Sequence, residues 1–235
     1  MNFSLIGLSF NLRPDFLLKL AMVQIFLLGD SFVYGVGAND GGWGDLLKKY
    51  FHKKMYSSGG VGEKYEVYNF GKAGEGIEFV EKTFRQQLDQ YGRDGEIITV
   101  VSVGTNDIKA KDSVENFVST INGCLNKISK FVDFLVSKKI KVIMVGSGFF
   151  DETKSNPKIS SITGRKSFFT NNRQKDFLIG LENLCTEKGV SFVDIGVDEK
   201  EWKEKYLYID GVHPNQKGHN FIADKVLSKL NELGY

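Results

Sequence analysis

Val23-Gln24-Ile25-Phe26-Leu27-Leu28-Gly29-Asp30-Ser31 is the stretch that decides the fold. From Val23 to Leu28 it is almost wholly apolar, without the alternation of a half-exposed strand, and it stops at a glycine. That is the pattern of a strand covered on both faces. Four later runs read the same way: Tyr65–Asn69, Glu96–Val103, Lys141–Gly146 and Val190–Ile195. Stretches with helical spacing separate and follow them, at 43–54, 77–91, 113–137, 168–188 and 215–233. Strands that alternate with helices predict an α/β fold built on a five-stranded parallel sheet with helices on both faces. Reactive groups in such folds gather beyond the carboxyl ends of the strands.

A length of 235 residues suits one domain, read here as 23–235. Residues 1–22 read as an N-terminal extension, moderately apolar but broken by Asn11, Arg13, Pro14 and Asp15. It lacks the basic start of a signal peptide. Met22 stands directly before the first strand and is the expected natural start; a native N-terminus at Met1, found by mass spectrometry, would refute this. A net charge of +2 gives no reason to expect nucleic acid. No stretch has the length and purity of a membrane span, so no stable membrane insertion is expected. Cys124 and Cys185 lie in helical stretches with no C-x-x-C pattern, which predicts two buried free thiols and a reducing, cytoplasmic compartment. No feature of the sequence specifies an oligomeric state.

Strand ends carry the chemistry. The first runs into Gly29-Asp30-Ser31, the second into Asn69-Phe70-Gly71-Lys72-Ala73-Gly74, and the third into Gly104-Thr105-Asn106-Asp107. Asp210-Gly211-Val212-His213-Pro214-Asn215 precedes the last helix. A serine hydroxyl attacks an acyl group only with a base beside it, usually an imidazole held by a carboxylate. Ser31, at a glycine-bearing turn, suits the nucleophile. Of three histidines, His52 lies in a lysine-rich helix and His219 inside the last helix, where solvation and packing are their defaults. His213 stands three residues after Asp210, close enough for that carboxylate to accept from Nδ1–H while Nε2 faces Ser31. For the oxyanion, the Ser31 N–H, the Gly74 N–H and the Asn106 amide offer neutral donors.

Taken together, the four segments resemble the blocks of the SGNH hydrolases, the GDSL esterase and lipase family. The resemblance runs from Val23 to the C-terminus. It implies that Ser31 is the nucleophile, Gly74 and Asn106 the oxyanion residues, His213 the base and Asp210 its orienting acid. It implies a three-layer α/β/α, flavodoxin-like sandwich, a small-molecule ester or acylated substrate, and no cofactor or metal. The chain departs from relatives after the fourth strand. A proline-bearing segment is common there, whereas this sequence reads Gly146-Ser147-Gly148-Phe149-Phe150-Asp151, which bears on the shape of the acyl pocket.

The expected activity is therefore ester cleavage through an acyl-enzyme. Carbohydrate O-deacetylation and acyl transfer to a sugar or alcohol would use the same groups, and a binding module without turnover is the alternative of another class. A nucleotide site is disfavoured, because Gly29-Asp30-Ser31-Phe32 is too short and acidic to cradle phosphate. Asp30 reads as a structural hydrogen-bonding residue and Asp107 as a cap on nearby backbone N–H groups rather than a metal ligand. Trp43 is expected to anchor the first helix. Phe149, Phe150, Phe168 and Phe169 flank the long stretch 147–167, which is expected to be a loop that sets substrate preference, and they either line an acyl pocket or lid or form a small core beneath it.

Overall fold

A computed structural model describes residues 22–57, 59–160 and 163–235. The N-terminal extension, apart from Met22, lies outside the described residues. In chain order the elements are β1 (Met22–Gly29), α1 (Ser31–Tyr34), α2 (Trp43–Tyr56), β2 (Lys64–Gly71), α3 (Ile77–Tyr91), β3 (Glu96–Ser102), α4 (Thr105–Ile108), β4 (Ala110–Lys111), α5 (Ile121–Ser137), β5 (Lys141–Val145), α6 (Glu152–Ser155), β6 (Lys158–Ile159), β7 (Lys166–Phe168), α7 (Asn171–Lys188), β8 (Ser191–Val193), α8 (Glu199–Glu201), a π-helical turn Trp202–Tyr206 and α9 (Gln216–Glu232).

Strands β2-β1-β3-β5-β8 form a five-stranded sheet, parallel at every pairing. Alternate residues of β1 supply two cores. Val23, Ile25 and Leu27 pack with Trp43, Leu47 and Phe51 of α2 and with Ile222, Val226 and Leu230 of α9. Phe26 and Leu28 pack with Val80 and Phe84 of α3, Ile128 and Phe131 of α5, and Phe177 and Leu181 of α7. Two cores on opposite faces of one sheet make the three-layer sandwich, and the strand order is that of flavodoxin-like folds. Trp43 is wholly buried at the start of α2, which fits an anchor. Gln24, the one polar residue between Val23 and Leu28, is also buried; its amide donates to Glu66 Oε2 and the Tyr91 carbonyl and accepts the Arg93 N–H.

The chain passes from β1 to β2 on one side and then crosses back to β3 on the other. Ligands of open α/β sheets bind in the crevice at such a reversal, so the ends of β1 and β3 frame the expected site.

Two stretches differ from the sequence reading. The helix expected over 113–137 begins at Ile121, where the Thr120 hydroxyl accepts the Gly123 N–H and caps it. Before it, Phe117 pairs with Ala110 and its ring lies 3.7 Å from the Arg173 guanidinium. Phe117 matches helical spacing, but that contact holds it elsewhere. The stretch 147–167 is not a plain loop: it contains α6 and β6, and β6 joins β7 and β4 in a three-stranded antiparallel sheet. The helix expected from residue 168 accordingly begins at Asn171, because Phe168 ends β7.

Candidate active site

At the end of β1 the backbone runs so close to β3 that a Cβ on Gly29 would sit 2.0 Å from the Ser102 carbonyl oxygen. Asp30 then caps α1, its Oδ1 accepting the Phe32 N–H at 3.0 Å. Ser31 is thereby the first residue of α1, and its side chain lines a cavity of about 490 Å³. Ser31 Oγ lies 2.8 Å from His213 Nε2, and His213 Nδ1 lies 2.6 Å from Asp210 Oδ2.

Local turns hold the His213 segment. Asp210 Oδ1 accepts the N–H groups of Val212 and His213, each at 3.0 Å. Gly211 has φ of 75°, a left-handed turn that glycine adopts without strain. Tyr208 N–H donates to the His213 carbonyl at 2.7 Å, and Leu207 bridges Pro214. Lys158 Nζ donates to Asp210 Oδ2 at 2.5 Å. Burial by itself would raise the Asp210 carboxyl; the His213 ring, the backbone N–H and Lys158 outweigh it and hold the group well below the usual carboxylate range. An ionised Asp210 on Nδ1 keeps the proton there, which leaves the Nε2 lone pair toward the Ser31 hydroxyl.

Gly74 and Asn106 line the same cavity. Gly74 has φ of 85°, and a Cβ there would meet nothing within 4 Å, so backbone conformation, not packing, accounts for glycine. Among the described residues neither the Gly74 N–H nor the Ser31 N–H donates to another group. Asn106 differs: its amide donates to Asp30 Oδ2 at 3.1 Å and to the Glu75 carbonyl at 3.0 Å. Both of its N–H groups are thus engaged, and an oxyanion must share or replace one of these acceptors. Burial pushes the Asp30 carboxyl up to about 7, although the Phe32 N–H opposes the shift.

The remaining candidates fall where their surroundings put them. Asp107 accepts the Ile77 N–H, at 3.1 Å to its nearer oxygen, and so caps α3; burial raises its carboxyl. His219 is buried, its Nδ1 accepting the Trp43 N–H at 3.3 Å and its Nε2 3.0 Å from the Val36 carbonyl, while His52 is exposed. Phe150 and Phe169 form a small core with Phe32 and Val212, and Phe169, Phe32 and Val212 also wall the cavity. Phe149 packs instead against the larger core on the α2/α9 face, and Phe168 is half-buried. None of residues 146–150 lines the cavity: Gly148 abuts Trp202, Ser147 Oγ contacts Thr105 Oγ1 at 3.3 Å, and Phe150 backs the residues that wall it.

Three contributors escaped the sequence reading. Lys109 and Lys158 both line the cavity, and the Glu75 carbonyl holds Asn106. Lys109 stands two residues after the Gly104–Asp107 block, so its place at the strand end is visible in the sequence. Lys158 carries no signal, because only the β6–β7 hairpin brings it to Asp210.

The chain matches the family model for GDSL-like lipases and acylhydrolases over residues 25–226. No curated protein matches it. Among solved structures it resembles a lipase/acylhydrolase from Enterococcus faecalis, with TM-score 0.67 and 18% identity, over 89% of this chain and 95% of that one. A member of the lipolytic G-D-S-L family from Veillonella parvula gives TM-score 0.64 at 19% identity, covering 88% and 97%. An acetylxylan esterase from Geobacillus stearothermophilus, solved as a catalytic mutant, gives 0.61 at 15% identity, covering 89% and 94%. At these identities the likeness to the solved structures is one of fold.

Proposed function

The chain belongs to the GDSL-like lipase/acylhydrolase family and cleaves esters, and we propose that it does so with Ser31 as nucleophile, His213 as general base and Asp210 as the acid that orients it. In this reading Nε2 of His213 takes the hydroxyl proton as Ser31 Oγ attacks the carbonyl carbon. The oxyanion accepts from the Ser31 and Gly74 N–H groups and from the Asn106 amide, which gives up the Glu75 carbonyl or Asp30 to do so. Collapse of the tetrahedral species expels the alcohol, which receives the proton from His213. Water activated by the same imidazole then releases the acid. No step calls on a metal or cofactor.

The observation that carries this reading is the unbroken pair of contacts, 2.8 Å and 2.6 Å, linking Ser31, His213 and Asp210 across 182 residues of chain. The intact set of five groups also weighs against a binding module without turnover. Two buried free thiols, Cys124 and Cys185, are consistent with a reducing, cytoplasmic compartment. Among the described residues no helix is long and apolar enough to cross a membrane.

The test is hydrolysis of p-nitrophenyl esters from acetate to palmitate by the wild type and by Ser31→Ala. Loss of the nucleophile is expected to lower kcat by roughly 10³-fold or more. Wild-type rates in Ser31→Ala, with contaminants excluded, would overturn the mechanism. Activity confined to acetate would favour a carbohydrate deacetylase, the activity that the Geobacillus neighbour bears in its name.

A further inference from the structure

Among the described residues two lysines line the cavity beside Ser31, and their surroundings differ. Lys158 is neutralised by Asp210. Lys109 forms no ion pair within 4.0 Å among the described residues; its Nζ donates to the neutral Asn106 Oδ1 at 2.7 Å and lies 5.3 Å from the centre of the Phe169 ring. We propose that Lys109 is a subsite for a carboxylate carried by the ester substrate, an inference that rests on the esterase reading above.

An ammonium has three donors, and one is used here. Leaving a half-buried cation without a counter-charge is costly, and where the cation faces a cavity the ligand can supply that charge. The apolar walls formed by Phe32, Phe169 and Val212 reduce screening and strengthen such a contact. Burial lowers the Lys109 ammonium to about 8, with Lys111 and Lys158 acting in the same direction and Asp30 and Asp107 opposing. It is therefore charged at neutral pH, and a bound anion would raise it. A singly charged carboxylate fits better than a phosphate dianion, because Lys158 is already paired with Asp210 and the Asp30 and Asp107 carboxyls also act on Lys109, leaving one ammonium for the ligand. Ser31 and Lys109 line the same cavity, so the charge is tested on each half of the ester in turn.

Two matched pairs of esters test this. One places the charge on the acyl half: mono-p-nitrophenyl adipate against p-nitrophenyl hexanoate. The other places it on the alcohol half: 4-acetoxybenzoate against its methyl ester. In at least one pair the wild type should favour the anion in kcat/KM by about tenfold or more, as a charge-assisted contact allows. Lys109→Met should abolish that ratio and Lys109→Arg should keep most of it. A residue that only positions Asn106 would move both members of a pair together. A ratio of one or less in both pairs, or one unchanged in Lys109→Met, overturns the inference while Ser31-dependent hydrolysis of the neutral esters leaves the esterase reading standing. If no ester is turned over, calorimetry decides. Ser31→Ala should bind adipate or 4-hydroxybenzoate at least tenfold more tightly than Ser31→Ala/Lys109→Met does, and equal or undetectable binding overturns it.

Discussion

Asp30 and Asp210 stand next to Ser31 and His213, and their surroundings drive them in opposite directions. Asp210 is held ionised by its partners, so its stabilising contribution is complete above the unfolded carboxylate range and lost only in strong acid. Asp30, pushed up to about 7 from 3.8, binds a proton that the unfolded chain releases. Its contribution is fully present below pH 4 and declines as pH rises from about 4 through 7, by on the order of a few kcal/mol. Asp30→Asn should remove that decline. Urea midpoints at pH 5 and pH 8 should therefore fall with pH more in the wild type than in the variant; parallel profiles would show that Asp30 is ionised throughout. The sequence marked Asp30 as structural rather than catalytic, since adjacent side chains diverge. It could not show that the Asn106 amide would span the gap to it, because that depends on how closely β1 and β3 pack.

Elements place these residues by close backbone approach. Gly148 has no room for a side chain: a Cβ would lie 2.0 Å from the wholly buried Trp202 ring. Gly148→Ala should cost about 1–3 kcal/mol through overpacking, read from denaturant midpoints, and should leave chain-length preference unchanged because Gly148 does not line the cavity. Long periodic elements were legible: α3 spans Ile77–Tyr91 as its apolar spacing predicts. The shorter ones were not. Nothing in the spacing of Phe117 announced that α5 would start at the Thr120 cap. Strands β4, β6 and β7, two or three residues each, carry too little pattern to separate from loop. Their pairing is nevertheless what brings Lys158 to Asp210.

At the scale of the whole molecule, His219 ties α9 to the opposite end of the chain. Its ring bridges the Trp43 N–H and the Val36 carbonyl, so the helix following His213 is fixed to the segment following Ser31. His219→Ala would leave the buried Trp43 N–H and the part-buried Val36 carbonyl without this partner and should cost about 1–3 kcal/mol by urea denaturation. Its kcat should fall far less than that of Ser31→Ala, since the ring does not line the cavity. The sequence by itself determined the sheet and the identity of the candidate groups. Apolar runs that end in glycine specify buried parallel strands, and the Asp210–His213 pair is local enough to be read from spacing. Tertiary structure alone decided which donors are free, which lysine is neutralised and which phenylalanines wall the cavity. Those outcomes depend on side chains far apart in the chain meeting within hydrogen-bond distance, and on burial removing water from one charge while pairing another, neither of which a one-dimensional pattern encodes.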